Sequence, residues 1–150
     1  PSPAAQPSEP GIDRGAYLVA VLNNTTVTGL AAQTAEQVRA LAPDFERLKR
    51  IPDCFAVIVT ARSDAVTAKG EEIDFVSRFF APNAGIAEDP VTGSAHSTLI
   101  PFWAERLDKS VMVAQQLSSR GGTLYCQDCG ERVKISGEAV LYLTGEIHIA

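Results

Sequence analysis

The chain has 150 residues, 45% of them hydrophobic and 21% charged, with a formal net charge of -5 and a pI near 5.0. That length is enough for one compact domain with a real core, and the acidic balance argues against nucleic acid or an anionic membrane as the main partner, since both need a basic surface. No apolar run approaches the roughly 20 residues of a membrane span, and no charged-then-apolar start resembles a secretion signal, so a soluble, cytoplasmic chain is expected.

The chain begins at Pro1 and its single methionine is Met112, which points to processing or to a piece of something longer. "PSPAAQPSEPG" is rich in Pro, Ser and Ala and has no periodicity, so residues 1–15 are expected to form a linker or extended arm. One domain is expected over 16–150. "AYLVAVL" (Ala16–Leu22) is apolar and β-prone, and "NNTTVTGL" after it reads as a turn and a second extended piece. Val38, Leu41, Phe45 and Leu48 recur at steps of three and four, an amphipathic helical stripe. Pro43 interrupts it, which predicts two short helices with the second starting at Pro43.

"CFAVIVTA" (Cys54–Ala61) is a continuous apolar run, a fully buried strand by length and composition. "SDAVTAKGEE" is a polar loop. In "IDFVSRFF", Ile73, Phe75, Ser77 and Phe79 alternate with Asp74, Val76, Arg78 and Phe80, a strand with two unequal faces. A helix follows in the middle of the chain. "SVMVAQQLS" is β-prone, and the remainder reads as a meander of "TLYCQ", "RVKIS", "AVLYL" and "EIHIA". Turns fall at Asp128-Cys129-Gly130, Gly137 and Gly145.

The middle helix is apolar on nearly every side: Leu99, Ile100, Phe102, Trp103, Ala104 and Leu107 point all round a 3.6-residue spiral. Such a helix must be enclosed. With many strands available, the economical α+β solution is a strongly curved sheet wrapped around it. Pro101 removes the donor that would bond the Ser97 carbonyl, so a kink is expected there.

The chemistry gathers at the start of this helix, in "EDPVTGSAHS". A helix start leaves four N–H groups unpaired. Thr92 or Ser94 can cap them, Gly93 lets something approach the backbone closely, and the helix dipole favours an anion. A substrate carboxylate is the natural candidate, because phosphate loops usually bring a lysine and the Walker pattern is absent. The nucleophile-elbow pattern fails too, because His96 stands where its second glycine belongs. Asp89 is held extended by Pro90. It is either a turn residue and dipole partner, or, at a desolvated cleft, a carboxylate that holds a proton or bonds a polar substrate group. His96 in the first turn reads as a structural, supporting residue before a catalytic one.

There are three cysteines, Cys54, Cys126 and Cys129, a sparse and odd count that fits a reducing setting. "CQDC" stands alone between strand-like runs, and His96 and His148 are the only histidines. A structural zinc site needs more ligands, and a redox pair should open a helix. Two incidental cysteines at a hairpin is the expected arrangement, with no metal site.

"FAPNAGIAEDPVTGSAHSTLIPFWAERL", followed by "QLSSRGG" and "RVKISGEAVLYLTGEI", resembles the C-terminal half of the PhzF-like family, which is named for a phenazine-biosynthesis isomerase and is similar in fold to diaminopimelate epimerase. The likeness runs from about Tyr17 to Ile149, and Glu88–His96 is its most specific part. "ALAPDF" and "IDFVSRFFAP" resemble the family's bacterial branch. The resemblance implies two pseudo-symmetric halves, each a roll or barrel-like sheet around a central helix, with the active site between them. It implies that Asp89 is an active-site acid and that Thr92, Gly93 and Ser94 bind the substrate carboxylate. It implies a main acid/base Glu from an N-terminal half, and an isomerisation that moves a proton between carbons without metal, flavin or pyridoxal cofactor. That half and its Glu are not in this sequence, and "CQDC" and "NNTTVTGLAAQ" have no counterpart in the pattern.

The leading expectation is therefore the C-terminal domain of a PhzF-like isomerase or epimerase acting on a small carboxylate. It is expected to pair with its own N-terminal half or to dimerise with a second copy, because an uncovered sheet edge is a liability. A non-catalytic module that binds a carboxylate or a protein is the alternative. A thioesterase-like fold would explain a helix inside a sheet but not the Asp-Pro-Val-Thr-Gly-Ser run.

Overall fold

In this computed structural model the described residues are 18–21, 26–28, 34–52 and 54–148, the first two groups by their strand pairing alone. Seven strands follow from the β-prone runs: β1 (Leu18–Val21), β2 (Thr26–Thr28), β3 (Val57–Arg62), β4 (Phe75–Phe80), β5 (Val111–Gln116), β6 (Gly122–Asp128) and β7 (Val133–Ser136). They form one sheet in the order β2-β1-β3-β4-β5-β6-β7. Every neighbouring pair is antiparallel except β4 and β5, which run parallel with Ser77 opposite Gln116. Parallel neighbours need a long crossover, and residues 81–110 supply it. Helix α3 (Gly93–Leu107) lies in that crossover, which is why it covers this part of the sheet.

Period-two alternation gives the sheet two buried faces. Ile58, Phe75, Phe79, Met112, Ala114 and Leu124 face α3 and pack with its Leu99, Ile100 and Trp103. Val57, Val59, Ala61, Val76 and Phe80 face the other way, onto Val38 of α1 (Ala35–Ala40) and the partly buried Phe45 and Leu48 of α2 (Phe45–Leu48). The unequal faces expected of β4 are not found: all six of its residues are buried. The two layers of helix explain this, and Arg78 is tolerated there because its charge is matched. Trp103 stacks on Phe75 with ring centroids 5.6 Å apart. Its Nε1–H donates to Thr60 Oγ at 2.9 Å, and that hydroxyl donates to the Val76 carbonyl at 2.7 Å.

Two helices flank Pro43 as expected, but the second begins at Phe45. Asp44 is its cap, accepting the Arg47 N–H at 3.1 Å, a role that needs an extended residue just outside the helix. Thr34 caps α1 in the same way, accepting the Gln37 N–H at 3.3 Å.

The enclosed helix and the rolled sheet are where sequence and structure part. Among the described residues the sheet is open, with β2 and β7 at its edges. Helix α3 runs unbroken through Pro101 and buries one side only: Ala95, His96, Leu99, Ile100 and Trp103 are inside, while Ser94, Ser97, Pro101 and Glu105 are exposed. The outer positions are small, polar or proline, so solvent on that side costs little. The strand expected at "AVLYL" does not form, and nor do residues 146–148 of "EIHIA"; residues 149–150 and the expected arm over 1–15 lie outside the described residues. Val140 and Tyr142 are 91% and 97% exposed. β-Propensity expresses a fit to a half-buried surface, and these side chains meet no such surface among the described residues.

Cys126 lies buried in β6, where burial pushes its thiol up to about 12, and Cys129 is exposed in the turn to β7. Both are free, and they sit at a hairpin as expected. Among the described residues no helix is long and apolar enough to cross a membrane, and no cluster of His, Cys, Asp and Glu is placed to hold a metal ion.

Candidate active site

The crossover leaves β4 through a single 3-10 turn, Pro82–Ala84, closed by Gly85 at φ 78°. A positive φ of that kind favours glycine. The chain then returns to the sheet, and the Asp89 N–H donates to the Phe79 carbonyl at 3.0 Å. Glu88 is fastened by Arg78 of β4: Nε reaches Oε1 at 2.6 Å and Nη2 reaches Oε2 at 2.9 Å. The remaining Nη1 donates to the carbonyls of Leu41 at 2.7 Å and of Val38 and Arg39 at 3.3 Å. One guanidinium thus joins the end of α1, the centre of the sheet and the residue before Asp89, using the fixed fork that makes arginine suited to carboxylates.

Thr92 occupies the cap position of α3 in an extended conformation, φ -114° and ψ 103°, yet its side chain does not cap the helix. Its hydroxyl donates to Asp89 Oδ2. Gly93 and Ser94 are exposed. The start of α3 therefore presents uncapped N–H groups and the positive end of its dipole outward, beside a carboxylate held by a hydroxyl.

Support comes from β5 and the loop after it. The Gln116 side chain, fully buried, accepts the Thr92 N–H at 2.8 Å and donates to the Asp89 carbonyl at 2.7 Å and to Thr92 Oγ at 3.1 Å. Ser118 Oγ donates to the Pro90 carbonyl at 2.7 Å. His96, also fully buried, bonds the Thr92 carbonyl through Nδ1 at 2.8 Å and Ser77 Oγ through Nε2 at 3.5 Å. A carbonyl only accepts, so Nδ1 carries the proton, and Nε2 of the neutral ring accepts from Ser77.

A groove of about 660 Å3 opens beside this turn, lined by Val91 and Gly93 on one side and by Arg120, Gly122, Tyr125 and Glu138 among others. Asp89, Thr92 and Ser94 are outside its lining. Across it, Lys69 pairs with Glu138, and Tyr125 donates to Glu71 at 2.9 Å. Arg120 has no hydrogen-bond or ion-pair partner among the described residues.

A family model described as phenazine biosynthesis-like protein, PhzC-PhzF, matches residues 11–145. The chain belongs to the PhzC-PhzF family. It is 47% identical over 154 residues to an uncharacterized isomerase of Pseudomonas aeruginosa, covering 99% of this chain and 56% of the relative. A second uncharacterized isomerase of the same organism is 52% identical over 112 residues, 75% of this chain and 40% of the relative. A crystal structure of a PhzF-family phenazine biosynthesis protein from Enterococcus faecalis superposes with a TM-score of 0.61 at 40% identity, over 77% of this chain and 44% of that one. The chain spans about half the length of the curated relatives it matches.

In this PhzC-PhzF chain the motif residues do converge. Asp89, Thr92, Gly93 and Ser94 share one turn at the start of α3. His96 lies behind that turn as a buried bracket and does not reach the open side. The residues that sequence reasoning passed over are Arg78, Glu88, Ser77, Gln116 and Ser118. One signal was present: Gln116 falls on the buried phase of β5, after Met112 and Ala114. A polar side chain on an apolar phase must be paired, and its partners are the candidate site.

Two consequences can be measured. A Cβ at Gly122 would collide with Cγ2 of Val91, and β-branched Val91 cannot swing clear cheaply. Gly122→Ala is expected to destabilise the fold by about 1–3 kcal/mol, read by thermal unfolding, and to displace the turn that carries Asp89. A variant as stable as the parent would show that the turn gives way freely. The second concerns acid. Burial lowers the His96 pKa from the usual 6.5, against the opposing bond to the Thr92 carbonyl. Below pH 6.5 the unfolded chain therefore binds a proton that the folded chain resists. Unfolding free energy should fall as the pH drops below that value, and His96→Gln should flatten the slope in urea titrations at several pH values.

Proposed function

We propose that this chain is the C-terminal half of a PhzF-like isomerase or epimerase that moves a proton between carbons of a small carboxylate-bearing metabolite. The observation that carries the reading is the Asp89 carboxylate, bonded by the Thr92 hydroxyl and set beside the uncapped start of α3. In this reading the open N–H groups at Gly93 and Ser94 hold the substrate carboxylate, since partial positive charge gathers there, while the expected direct contact from Thr92 gives way to an orienting role, its N–H and hydroxyl being taken by Gln116 and Asp89. Asp89 takes up or releases the migrating proton. A Glu from the other half is the second acid/base, and no metal, flavin or pyridoxal group is called for. The names of the Pseudomonas relatives support an isomerase. Arg120 in the adjoining groove, without a partner among the described residues, is in keeping with an anionic ligand.

The relation to the diaminopimelate-epimerase fold, with a sheet rolled round α3, belongs to the same proposal. It requires residues 139–148 to add strands beyond β7 once a partner surface is present. The apolar exposure of Val140, Leu141, Tyr142 and Leu143 supports an intermolecular or interdomain bed for them. The partner is the N-terminal half or a second copy of this chain. Nucleic acid and membrane are not proposed.

The test is solvent deuterium uptake. The complete two-half polypeptide is incubated in D2O with a panel of amino acids and 2,3-unsaturated acids, and label at carbon is read by NMR. Uptake that requires both halves supports the isomerase. Tight carboxylate binding with no uptake by the complete polypeptide favours the second reading, a binding module, which the half-length match to the relatives keeps in play.

A further inference from the structure

The side-chain amide of Gln116 has only one orientation that its partners permit. The Thr92 N–H can only donate, so it must face Oε1; the Asp89 carbonyl can only accept, so it must face Nε2. The distances, 2.8 and 2.7 Å, agree with that assignment. The second Nε2 hydrogen then has one acceptor in reach, Thr92 Oγ at 3.1 Å. A hydroxyl that receives a hydrogen from one side must send its own proton elsewhere, and the acceptor it meets is Asp89 Oδ2. Asp89 Oδ1 takes no hydrogen bond among the described residues.

We propose that Gln116 is the positioning residue of this site: its amide aims the Thr92 hydroxyl proton at Asp89 Oδ2, fixes the rotation of that carboxylate, and leaves Oδ1 free for the ligand. This rests on the reading of Asp89 as the acid/base group. Gln116 touches no ligand surface itself, since it is fully buried at the carboxyl end of β5. It acts through Thr92, and a buried, fully satisfied network of this kind specifies one geometry. A side chain kept for packing alone would need no amide at this position, and leucine or methionine would fill the same volume.

The Thr92 hydroxyl proton reports the arrangement without any substrate. In equal parts H2O and D2O, a hydroxyl that exchanges slowly splits the resonance of its own 13Cβ into two lines. The parent chain should show split Cβ signals for Thr92 and for Thr60, whose buried hydroxyl bonds the Val76 carbonyl and Trp103 and shares no hydrogen bond with Gln116, Thr92 or Asp89. In Gln116→Met the Thr92 hydroxyl should exchange at least about tenfold faster and its signal should merge, while Thr60 stays split and so reports an intact core. A split Thr92 signal in Gln116→Met overturns the proposal.

If Gln116→Met does not fold, Gln116→Leu removes the amide with a more compact side chain. The isotope shift that Thr92 O–D places on Asp89 Cγ in the parent should then vanish, and its persistence overturns the proposal equally. In the complete two-half polypeptide, Gln116→Met should lower the deuterium-uptake rate by about 10–100-fold with carboxylate affinity held within about twofold, because the helix N–H groups remain. Loss of affinity with an unchanged rate counts against positioning. If the NMR signature holds and the parent polypeptide takes up no deuterium, the positioning stands and the isomerase reading is the part that fails.

Discussion

Asp89→Asn in the complete polypeptide is expected to lower deuterium uptake by about 10²–10⁴-fold, the usual contribution of a positioned acid or base. Asparagine keeps the shape and can still accept the Thr92 hydroxyl through its Oδ1, so the turn should survive. Its backbone bonds, from the Asp89 N–H to the Phe79 carbonyl at 3.0 Å and from Gln116 to its own carbonyl at 2.7 Å, do not depend on the side chain. The expected result is therefore a folded protein with an unchanged unfolding temperature, near-normal carboxylate binding and almost no proton transfer. Parent-like uptake would remove Asp89 from the chemistry and leave it as a turn residue.

Arg78→Met should produce the largest loss of stability. The variant strands the Glu88 carboxylate and takes the Nη1 donor from three carbonyls around the end of α1. Breaking a buried pair from one side costs about 3–5 kcal/mol. Arg78 and Glu88 retain 11% and 20% side-chain exposure, which places the expectation at the lower end, about 3 kcal/mol in urea unfolding. Adding Glu88→Gln removes the stranded charge, so the double variant should be more stable than Arg78→Met alone. A double variant no better than the single would assign the cost to the carbonyls and to packing on Phe80, whose ring centroid lies 4.9 Å from the guanidinium carbon.

Much of this fold is written in short-range pattern. Apolar runs and alternation place β3, β4, β5 and β6, and the spacing of Val38 and Leu48 around Pro43 places two short helices. The run Glu88–His96 marks the candidate site, because small polar residues before an apolar helix are a local signal. Long-range facts were harder to read. That Arg78 and Glu88 meet depends on how the crossover folds back over β4. That α3 is covered on one side only depends on which strands pair, and residues 139–148 carry a strand-like pattern without a neighbour among the described residues to make it a strand. Gln116 shows the middle case. Its place on a buried phase was visible, but its partners lie 24 and 27 residues earlier and only the parallel register brings them together.

That register also sets an order of events as the chain is made. Synthesis runs from the amino end at about 5–20 residues per second, so Asp89 and Thr92 emerge before the side chain that will orient them. Until β5 has docked in parallel beside β4, their turn has neither Gln116 nor the bracket at Ser118. Non-local pairings of this kind close slowly because loop entropy must be overcome first. A nascent chain halted before β5 would therefore carry the whole run Glu88–His96 with neither Gln116 nor Ser118 to orient its turn.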